Sequence, residues 1–347
     1  MSLNSSKRRL ITVGVAVVIV VAFVLLGNMV RVPYVALSPG MTVNTLGDVD
    51  GKQVVQVDGA VDPNPTGHLN LTTVSVTDGL SLFDALGLWI TGRGQLQPRE
   101  LYFPRGTTPE QMREETKQQM VGSEQNATGA ALTYLQRPTV PGVGGIAANS
   151  PAKDTLELGD ILLAVDGRPL ATVNAFVEEI RSRKPGDTVA LTIKRGDAEQ
   201  TVDVTLAARP DDANQGYLGV TATVFNADPN VKIIYNVGDI GGPSAGLMLS
   251  LAVVDRLTPG NLANGEFIAG TGTITPDGTV GRIGGITHKL AGARGDGATI
   301  FLVPAENCAE ALTDVPDGLE LIKVETIGGA VDALAAVRNG TDRPHCS

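Results

Sequence analysis

The pattern of apolar and polar positions begins with one long hydrophobic run. Residues 10–27 carry no charge and are rich in Val, Ile and Leu, and Met29 and Val30 extend the run past Asn28. A run of this length is about enough to span a bilayer and exceeds the roughly 7–15 residues of a signal-peptide core. We therefore predict an uncleaved membrane anchor over residues 10–30. A secretion signal that is cleaved is the alternative.

A basic cluster stands directly before this run. Lys7, Arg8 and Arg9 close a short polar segment, residues 1–9. Positive residues beside a membrane span favour the cytoplasmic side. The sequence therefore predicts a cytoplasmic tail over residues 1–9 and an extracytoplasmic location for everything after Arg31, in a single-pass protein of the cell membrane.

Short alternating segments follow the anchor. Alternating apolar positions are typical of half-buried strands, and apolar positions three and four residues apart are typical of helices. Residues 32–135 form the first external part of the chain. Its predicted elements are strands at 32–36, 52–57 and 68–76, a turn at 38–40, and helices at 80–90 and from Thr107 to residue 135.

The rest of the chain also alternates between the two patterns. Strands that alternate with helices are typical of layered α/β (α+β) architecture, which is the fold class we predict. From Asn339 onward we expect a loose tail. The predicted elements are strands at 188–195, 200–206, 217–224, 231–235, 298–303 and 319–324, and helices at 173–183, 306–312 and 326–338.

Composition excludes several classes of function. The 347 residues are enough for two or three domains, and the net charge of −10 argues against a nucleic-acid partner. No His-Glu-x-x-His zinc motif and no phosphate-binding Gly-x-x-x-x-Gly-Lys-[Ser/Thr] motif occurs. We expect no metal, no cofactor and no ATP hydrolysis. Cys308 and Cys346 are too few for a disulfide framework. We favour two free thiols, and a pair formed in an oxidising space is the alternative.

A serine stands where an apolar strand gives way to a helix. The segment reads Gly241-Gly242-Pro243-Ser244-Ala245-Gly246 and follows the strand at 231–235. Pro243 fits the first turn of a helix, so Ser244 would lie beside unpaired backbone N–H groups and the positive end of the helix dipole. Ser244 is thus a candidate nucleophile, and the N–H groups of Ser244 and Ala245 are candidate oxyanion donors. An ordinary capped helix start is the alternative.

A lysine follows a second glycine-rich segment. Thr271-Gly272 ends an apolar strand, and Gly284-Gly285-Ile286 then leads to Lys289 in the first turn of another helix. By itself, a lysine in that position is usually a solvated surface charge. His288 is its neighbour, but adjacent residues on a helix do not share a face. We therefore interpret His288 as a surface or supporting residue rather than as the base of a Ser-His-Asp triad.

In this order and spacing, the motifs around Ser244, Thr271 and Lys289 resemble the proteolytic domain of Lon-type serine proteases. The resemblance extends to about Val337 and implies a serine–lysine dyad. By position, Ser244 matches the nucleophile, Lys289 the general base and Thr271 the hydroxyl that helps to orient the lysine. Gly241 and Thr273 stand where the family commonly has acidic residues, which puts the hydrogen bonding around the dyad in question.

The chemistry of such a dyad needs an unusual lysine. A serine hydroxyl is a weak nucleophile until a base removes its proton, and a lysine is a base only when it is neutral. At the ordinary pKa of about 10.4, roughly one lysine in a few thousand is neutral at pH 7. Burial among the apolar residues of segment 283–286 is expected to lower the pKa of Lys289 by about 3 on the pH scale.

Residues 137–209 resemble a PDZ domain of the type associated with bacterial proteases. The resemblance is specific in the run Leu158 to Gly167, Leu-Gly-Asp-Ile-Leu-Leu-Ala-Val-Asp-Gly. Such domains bind the C-terminal carboxylate of a peptide at a glycine-bearing loop while the peptide adds as a strand. Our candidates for the loop are Gly144, Gly145 and Ile146. The alternative is that these glycines only shape a turn.

Together these features predict a membrane-anchored, ATP-independent serine endopeptidase that cleaves extracytoplasmic proteins or peptides. We expect the Lon-type domain over 216–338, with the mostly-β PDZ domain inserted in or adjoining it, and the catalytic fold beginning before residue 135. The tail would cover 339–347. The Lon resemblance also implies a ring of copies, a hexamer. The alternative is a catalytically silent membrane adaptor that binds peptides through its PDZ domain.

Overall fold

The computed structural model describes residues 5–62, 65–91, 94–104 and 106–347, so residues 1–4 of the predicted tail lie outside the described residues. The chain divides into two compact units. The first comprises Met1–Met41 and Thr73–Met112, and the second comprises Thr42–Thr72 and Arg113–Ser347. Helices and strands are mixed along the chain, which confirms the predicted α/β class.

The helices lie in both units. In chain order they are α1 (Ser5–Met29), α2 (Leu82–Thr91), α3 (Pro109–Tyr134), α4 (Val173–Arg181), α5 (Gly246–Leu257), α6 (Ile286–Gly295), α7 (Cys308–Ala311) and α8 (Ile327–Asn339). Short 3₁₀ helices lie at Arg99–Leu101 and Ala305–Asn307.

The strands are mostly short. In chain order they are β1 (Tyr34–Asn44), β2 (Asp48–Val49), β3 (Lys52–Gln53), β4 (Val55–Asp58), β5 (His68–Thr77), β6 (Gln95–Pro98), β7 (Thr139–Ile146), β8 (Ile161–Val165), β9 (Arg168–Pro169), β10 (Thr188–Arg195), β11 (Ala198–Thr205), β12 (Ala207–Ala208), β13 (Gly216–Tyr217), β14 (Val220–Asn226), β15 (Lys232–Tyr235), β16 (Phe267–Gly270), β17 (Thr273–Ile274), β18 (Val280–Gly281), β19 (Ile300–Pro304) and β20 (Glu320–Val324).

The first unit contains the apolar helix α1. Its segment Ile11–Met29 has a mean hydropathy of 2.6, and among the described residues it is the one helix long and apolar enough to cross a bilayer. By length and composition, this helix fits either an anchor or a signal sequence.

The turn predicted at 38–40 is wrong. Strand β1 runs through these residues without a break and pairs antiparallel with β6 near its start. Gly40 is needed for close approach rather than for a turn, because a Cβ there would lie 2.3 Å from Thr73 Oγ1. The same Thr73 hydroxyl donates to the carbonyl of Met41 at 2.8 Å. Pro39 and Gly40, a usual turn pair, therefore lie within a strand.

The second unit contains a parallel sheet in the order β20-β19-β16-β5. Helix α5 is buried over its whole length against this part of the fold. Its core also contains residues from well before it in the chain, including Leu69 and Leu71 of β5 and Ala127, Ala130 and Ala131 of α3. Residues on both sides of segment 137–209 therefore share one hydrophobic core. The domain boundaries given above remain predictions.

A second sheet of this unit has the order β11-β10-β8-β7-β14. It has its own apolar core, which includes Phe176 and Ile180 of helix α4. Strand β14, which the sequence assigned to the proteolytic domain, pairs with β7 from Val220 opposite Ile146 to Asn226 opposite Thr139. The edge strand of this sheet is therefore formed by residues that follow the polar segment 209–216 in the chain.

The C-terminal tail is held in place, so our expectation of a loose tail is wrong. Cys308 and Cys346 form a disulfide, which also corrects our preference for two free thiols. His345 makes a β-bridge with Ile322, and the guanidinium of Arg343 donates to both carboxylate oxygens of Glu320. These contacts close the tail onto strand β20. The polar sequence of the tail hid them because each partner lies more than twenty residues away.

Candidate active site

Ser244 lies in a turn immediately before helix α5. The helix begins at Gly246, two residues after Ser244, so the predicted placement of Pro243 in its first turn is wrong. The turn is fixed from the side of α3, because the N–H of Gly242 donates to the carbonyl of Thr116 at 2.8 Å. Gly242 has φ +95°, which only glycine adopts readily. Ser244 remains half-buried, so a ligand can reach its hydroxyl.

The backbone of Ser244 is held by the strand end at Thr271-Gly272. Its carbonyl accepts two hydrogen bonds, from Thr271 Oγ1 at 3.1 Å and from the N–H of Gly272 at 2.9 Å. Thr271 is fully buried. These two bonds fix the serine relative to the end of strand β16.

Lys289 projects from the buried face of helix α6. The buried residues of this helix are Ile286, Lys289, Leu290 and Ala293, which is the spacing of one helical face. The helix follows Gly285, whose φ of +68° is left-handed. The glycine pair therefore aims the first turn of α6, and with it Lys289, into the protein. The prediction that Lys289 lies in the first turn of a helix is confirmed.

The amine of Lys289 lies within hydrogen-bond distance of three oxygens. Nζ is 2.8 Å from Ser244 Oγ, 2.9 Å from Thr271 Oγ1 and 3.0 Å from the carbonyl oxygen of Thr72. The carbonyl can only accept, and the Thr271 hydroxyl donates its proton to Ser244 O. A neutral amine has two N–H donors and one lone pair. Both donors are therefore engaged by Thr72 and Thr271, which leaves the lone pair for the Ser244 hydroxyl.

Burial changes the protonation of this amine. Lys289 is only 3% exposed. Burial lowers the pKa of Lys289 from its ordinary 10.5 to about 7, because the low-dielectric surroundings disfavour the ammonium. No carboxylate among the described residues opposes this effect. A substantial fraction of Lys289 is therefore neutral at neutral pH.

The region beside Ser244 has features of an oxyanion site. Among the residues that the structure describes, the backbone N–H groups of Ser244 and Ala245 donate no hydrogen bond. Both belong to the turn at the start of α5, where partial positive charge accumulates. A developing negative charge on an oxygen bound there would find two donors.

The departure from the Lon pattern at Gly241 has a steric explanation. A Cβ at Gly241 would lie 3.0 Å from both Cβ and Oγ1 of Thr116, so a side chain there requires Thr116 to move by a few tenths of an ångström. A cavity of about 560 Å³ extends from this point and is lined by Arg113 and Lys117 of α3 and by residues 238–241. The space beside the turn that contains Ser244 is thus open, and two basic side chains, Arg113 and Lys117, line it.

His288 does not join the site. It is half-buried, its Nε2 is buried without a hydrogen-bond partner in the described part of the chain, and its position on α6 is off the face that carries Lys289. Burial lowers the pKa of His288. This placement agrees with our interpretation that His288 is not the base of a Ser-His-Asp triad.

Three further residues hold the site and carried no signal in the sequence. Thr72 contributes only its backbone carbonyl, which any residue type has. Ser123 of α3 donates to the carbonyl of Pro243 at 3.2 Å. Asn307 is fully buried and bonds both the N–H and the carbonyl of Ile283, each at 2.9 Å, which fixes the chain leading to Lys289.

The glycines that we predicted as a peptide-binding loop lie in a strand. Gly144, Gly145 and Ile146 belong to β7, which is placed between β8 and β14. The register with β14 shifts next to Gly144, and a Cβ there would lie 2.7 Å from Thr223 Cγ2. The prediction of a loop at these residues is therefore wrong. It missed the strand pairing because β14 lies more than seventy residues after β7 in the chain.

Comparison with known families adds to this geometry. Residues 118–206 match the model of the PDZ domain, and residues 213–336 match that of the Lon protease (S16) C-terminal proteolytic domain. The chain carries a PDZ domain and a Lon-type proteolytic domain. Ser244, Thr271 and Lys289 all fall inside the second match.

Relatives agree with the Lon assignment. The chain is 31% identical to the Lon protease of Phenylobacterium zucineum over 48% of this chain and 21% of that protein. It is 38% identical to the Lon protease of Rhizobium meliloti over 33% of this chain and 14% of that protein. The chain therefore spans about a fifth or less of these relatives.

A PDZ domain is among the similar solved structures. The PDZ domain of the SdrC-like protein from Listeria monocytogenes is 28% identical over 24% of this chain and 86% of that chain, with a TM-score of 0.22.

Proposed function

We propose that the protein is a membrane-anchored serine endopeptidase that uses Ser244 and Lys289 as a catalytic dyad. The observation that carries the proposal is the 2.8 Å separation of Lys289 Nζ and Ser244 Oγ, with both N–H groups of the neutral amine engaged by Thr72 and Thr271. The match to the Lon proteolytic domain supports the same chemistry.

The mechanism follows from the positions of these groups. Neutral Lys289 takes the hydroxyl proton of Ser244 while Oγ forms a bond to the carbonyl carbon of the scissile peptide. The negative charge that develops on the carbonyl oxygen is stabilised by the N–H groups of Ser244 and Ala245. When the C–N bond breaks, the Lys289 ammonium gives its proton to the leaving amine, and an acyl ester remains on Ser244.

The second half of the reaction regenerates the enzyme. A water molecule gives a proton to neutral Lys289 and adds to the ester carbon. The C–O bond to Ser244 then breaks, and the Lys289 ammonium returns the proton to Oγ. Each step uses one proton and one lone pair, so the dyad needs neither a metal nor a nucleotide.

The PDZ domain would present peptides to this site. Among the described strands, β14 lies at the edge of the second sheet and is paired with β7 on one side only, and helix α4 lies beside it. An extended peptide that adds to the open edge of β14 would bind by the general mode of strand addition. This edge replaces Gly144, Gly145 and Ile146 as our proposed peptide site.

Location and assembly complete the proposal. We propose that α1 anchors the protein with its N-terminus in the cytoplasm and the rest outside the cell. The disulfide between Cys308 and Cys346 supports this topology, because disulfides persist in oxidising compartments. A ring of six copies, implied by the Lon resemblance, stays a prediction that analytical ultracentrifugation of the detergent-solubilised protein tests.

The deciding experiment measures cleavage of unfolded casein by the full-length protein in detergent micelles without nucleotide. We expect Ser244→Ala and Lys289→Met to lose activity, and His288→Ala to keep it. Ser182→Ala is the matched control, because Ser182 is an exposed serine at the end of α4. Equal cleavage by all variants would exclude the dyad. Inactivity of the wild type, together with peptide binding, would favour the silent adaptor.

A further inference from the structure

Helix α2 exposes an apolar face. Its large apolar residues Leu82, Leu86, Trp89 and Ile90 are 42%, 43%, 74% and 70% exposed. Their spacing of four, seven and eight residues from Leu82 places them on one side of a helix. In a helix that packs on a soluble protein, this side is normally the buried one. The face therefore needs an apolar environment that the described residues do not provide.

The start of α2 is attached to the end of α1. The N–H of Leu82 donates to the carbonyl of Val30, and the N–H of Val32 donates to the carbonyl of Leu80, both at 3.0 Å. Arg31 also donates from Nη1 to the carbonyl of Gly79 at 2.7 Å. These bonds hold the start of α2 beside the C-terminal end of α1, where the apolar span ends.

An aromatic contact sets the level of α2 more closely. The ring of Phe83 packs edge-on against Phe23 of α1, with 5.4 Å between the ring centroids. It also lies over Gly27, where a Cβ would be 2.0 Å from the ring. Phe23 precedes Met29, the last residue of the span, by six residues, or about 9 Å of helix. Helix α2 therefore starts within the outer part of the apolar span.

We propose that α2 lies in the membrane interface, with its apolar face in contact with lipid. The inference rests on the proposed anchoring by α1 and deepens it, because it adds a second helix that contacts the membrane. Amphipathic helices of this kind lie roughly 5–10 Å below the surface, at the boundary of headgroups and acyl chains, and tryptophan is enriched there.

Lipid is the occupant that the surroundings favour. Helix α2 packs beside the end of α1, where the apolar side chains of Phe23, Leu25 and Leu26 are also each about 60% exposed. Asp84 is the one acid of α2, and its carboxylate accepts from the N–H and the hydroxyl of Ser81 at the helix start. The four residues of the exposed face are all uncharged, so contact with lipid requires no charged group of this face to lose its hydration.

Trp89 is a built-in probe for this contact, because it is the single tryptophan of the chain. The full-length protein is reconstituted in phosphatidylcholine vesicles whose acyl chains carry bromine either near the headgroup or at mid-chain. We expect loss of most Trp89 emission with bromine near the headgroup and a smaller loss with bromine at mid-chain. A reference protein, Trp89→Phe with Val20→Trp, moves the probe to the middle of α1 and should reverse this order.

Two variants test the face itself. Leu86→Ser with Ile90→Ser changes exposed residues only and should weaken the quenching of Trp89 while the protein still floats with the vesicles. The control Leu312→Ser changes an exposed leucine of the second unit and should leave quenching unchanged.

Other outcomes would overturn the inference, and each would identify a different environment for the apolar face of α2. If Trp89 is quenched by acrylamide in water and not by brominated lipid, the face is solvated. If neither quencher acts, protein covers the face, and a second copy of the chain is the first candidate. If the protein does not float with vesicles, the anchor proposal fails together with this one. Flotation without lipid quenching removes the present inference alone.

Discussion

The hydroxyl of Thr271 connects Ser244 and Lys289, because Lys289 Nζ lies 2.9 Å from its Oγ1 and the same hydroxyl donates to the carbonyl of Ser244. Thr271 thereby occupies one N–H of the amine and fixes the serine backbone at the same time. Loss of the Thr271 hydroxyl should change the orientation of the Lys289 amine more than it changes the fold. The N–H of Gly272 would still donate to the Ser244 carbonyl and hold the serine backbone.

The variant Thr271→Val tests this role. Valine keeps the shape and removes the hydroxyl, so one N–H of Lys289 loses its acceptor, at a cost of about 1–3 kcal/mol. We expect kcat to fall by roughly 10–100-fold. The pH midpoint of the activity should also fall, since an ammonium loses more than a neutral amine when an acceptor is removed.

Thr271→Ser is the matched control and should restore most of the activity and the original midpoint. A Thr271→Val enzyme with an unchanged kcat and an unchanged midpoint would contradict the positioning role.

Activity should rise with pH through the neutral range. Lys289 acts as a base only when deprotonated, and its pKa is about 7, so kcat/KM should climb as pH rises through this value and then level off. Glu124 of α3 is a competing group, because burial raises its pKa to about 7 as well. A midpoint that persists in Glu124→Gln belongs to Lys289, whereas one that disappears would assign the titration to the carboxyl.

Lys289 should also make the stability of the protein depend on pH. Its pKa is lower in the folded state than the ordinary 10.5, so the unfolded chain binds the extra proton between pH 7 and 10.5 and the free energy of unfolding rises with pH there. Between pH 7 and 10.5, the contribution of Lys289 to the free energy of unfolding changes by about 5 kcal/mol. The variant Lys289→Met lacks this dependence.

Urea unfolding of both proteins at several pH values measures the difference. We expect the advantage of the variant to be largest at pH 7 and below, and to shrink steadily as pH rises. Groups that titrate elsewhere cancel in the comparison. A difference that stays constant with pH would mean that the amine is charged in the folded protein.

The disulfide should contribute strongly to the stability of the C-terminal region. It closes 38 residues between Cys308 and Cys346, for which chain entropy gives about 4 kcal/mol, and measured values are typically about 2–4. We expect a reductant to lower the urea midpoint and to expose the tail to limited proteolysis. The double variant Cys308→Ala with Cys346→Ala should be equally destabilised and indifferent to the reductant. A wild type that ignores the reductant would contradict the proposed contribution.

The sequence predicted the parts of the site that depend on local motifs. Glycines flanking Ser244 and Lys289 mark the two helix starts, and the geometry brings these side chains together as the motifs imply. Thr72 and Asn307 were not predictable. Thr72 acts through a backbone atom 217 residues from Lys289, and Asn307 reads as an ordinary polar residue until the fold places it beside Ile283.

The errors in the fold have the same cause. Pro39 and Gly40 have the composition of a turn, but pairing with distant residues keeps them in a strand. Gly144 and Gly145 have the composition of a loop, but β14 covers them. In each case a long-range partner, which local preference does not include, decided the conformation.

The burial of Lys289 has a consequence for control of the proposed activity. Its low pKa has no source other than the exclusion of solvent by the surrounding apolar side chains. Any loosening that hydrates the amine would favour the ammonium, which has no lone pair, so a molecule with an incompletely closed interior would lack the proposed base. With the proposed dyad, the chain would cleave no peptide bonds while it is being synthesised and folded, and would become active only after solvent is excluded from around Lys289.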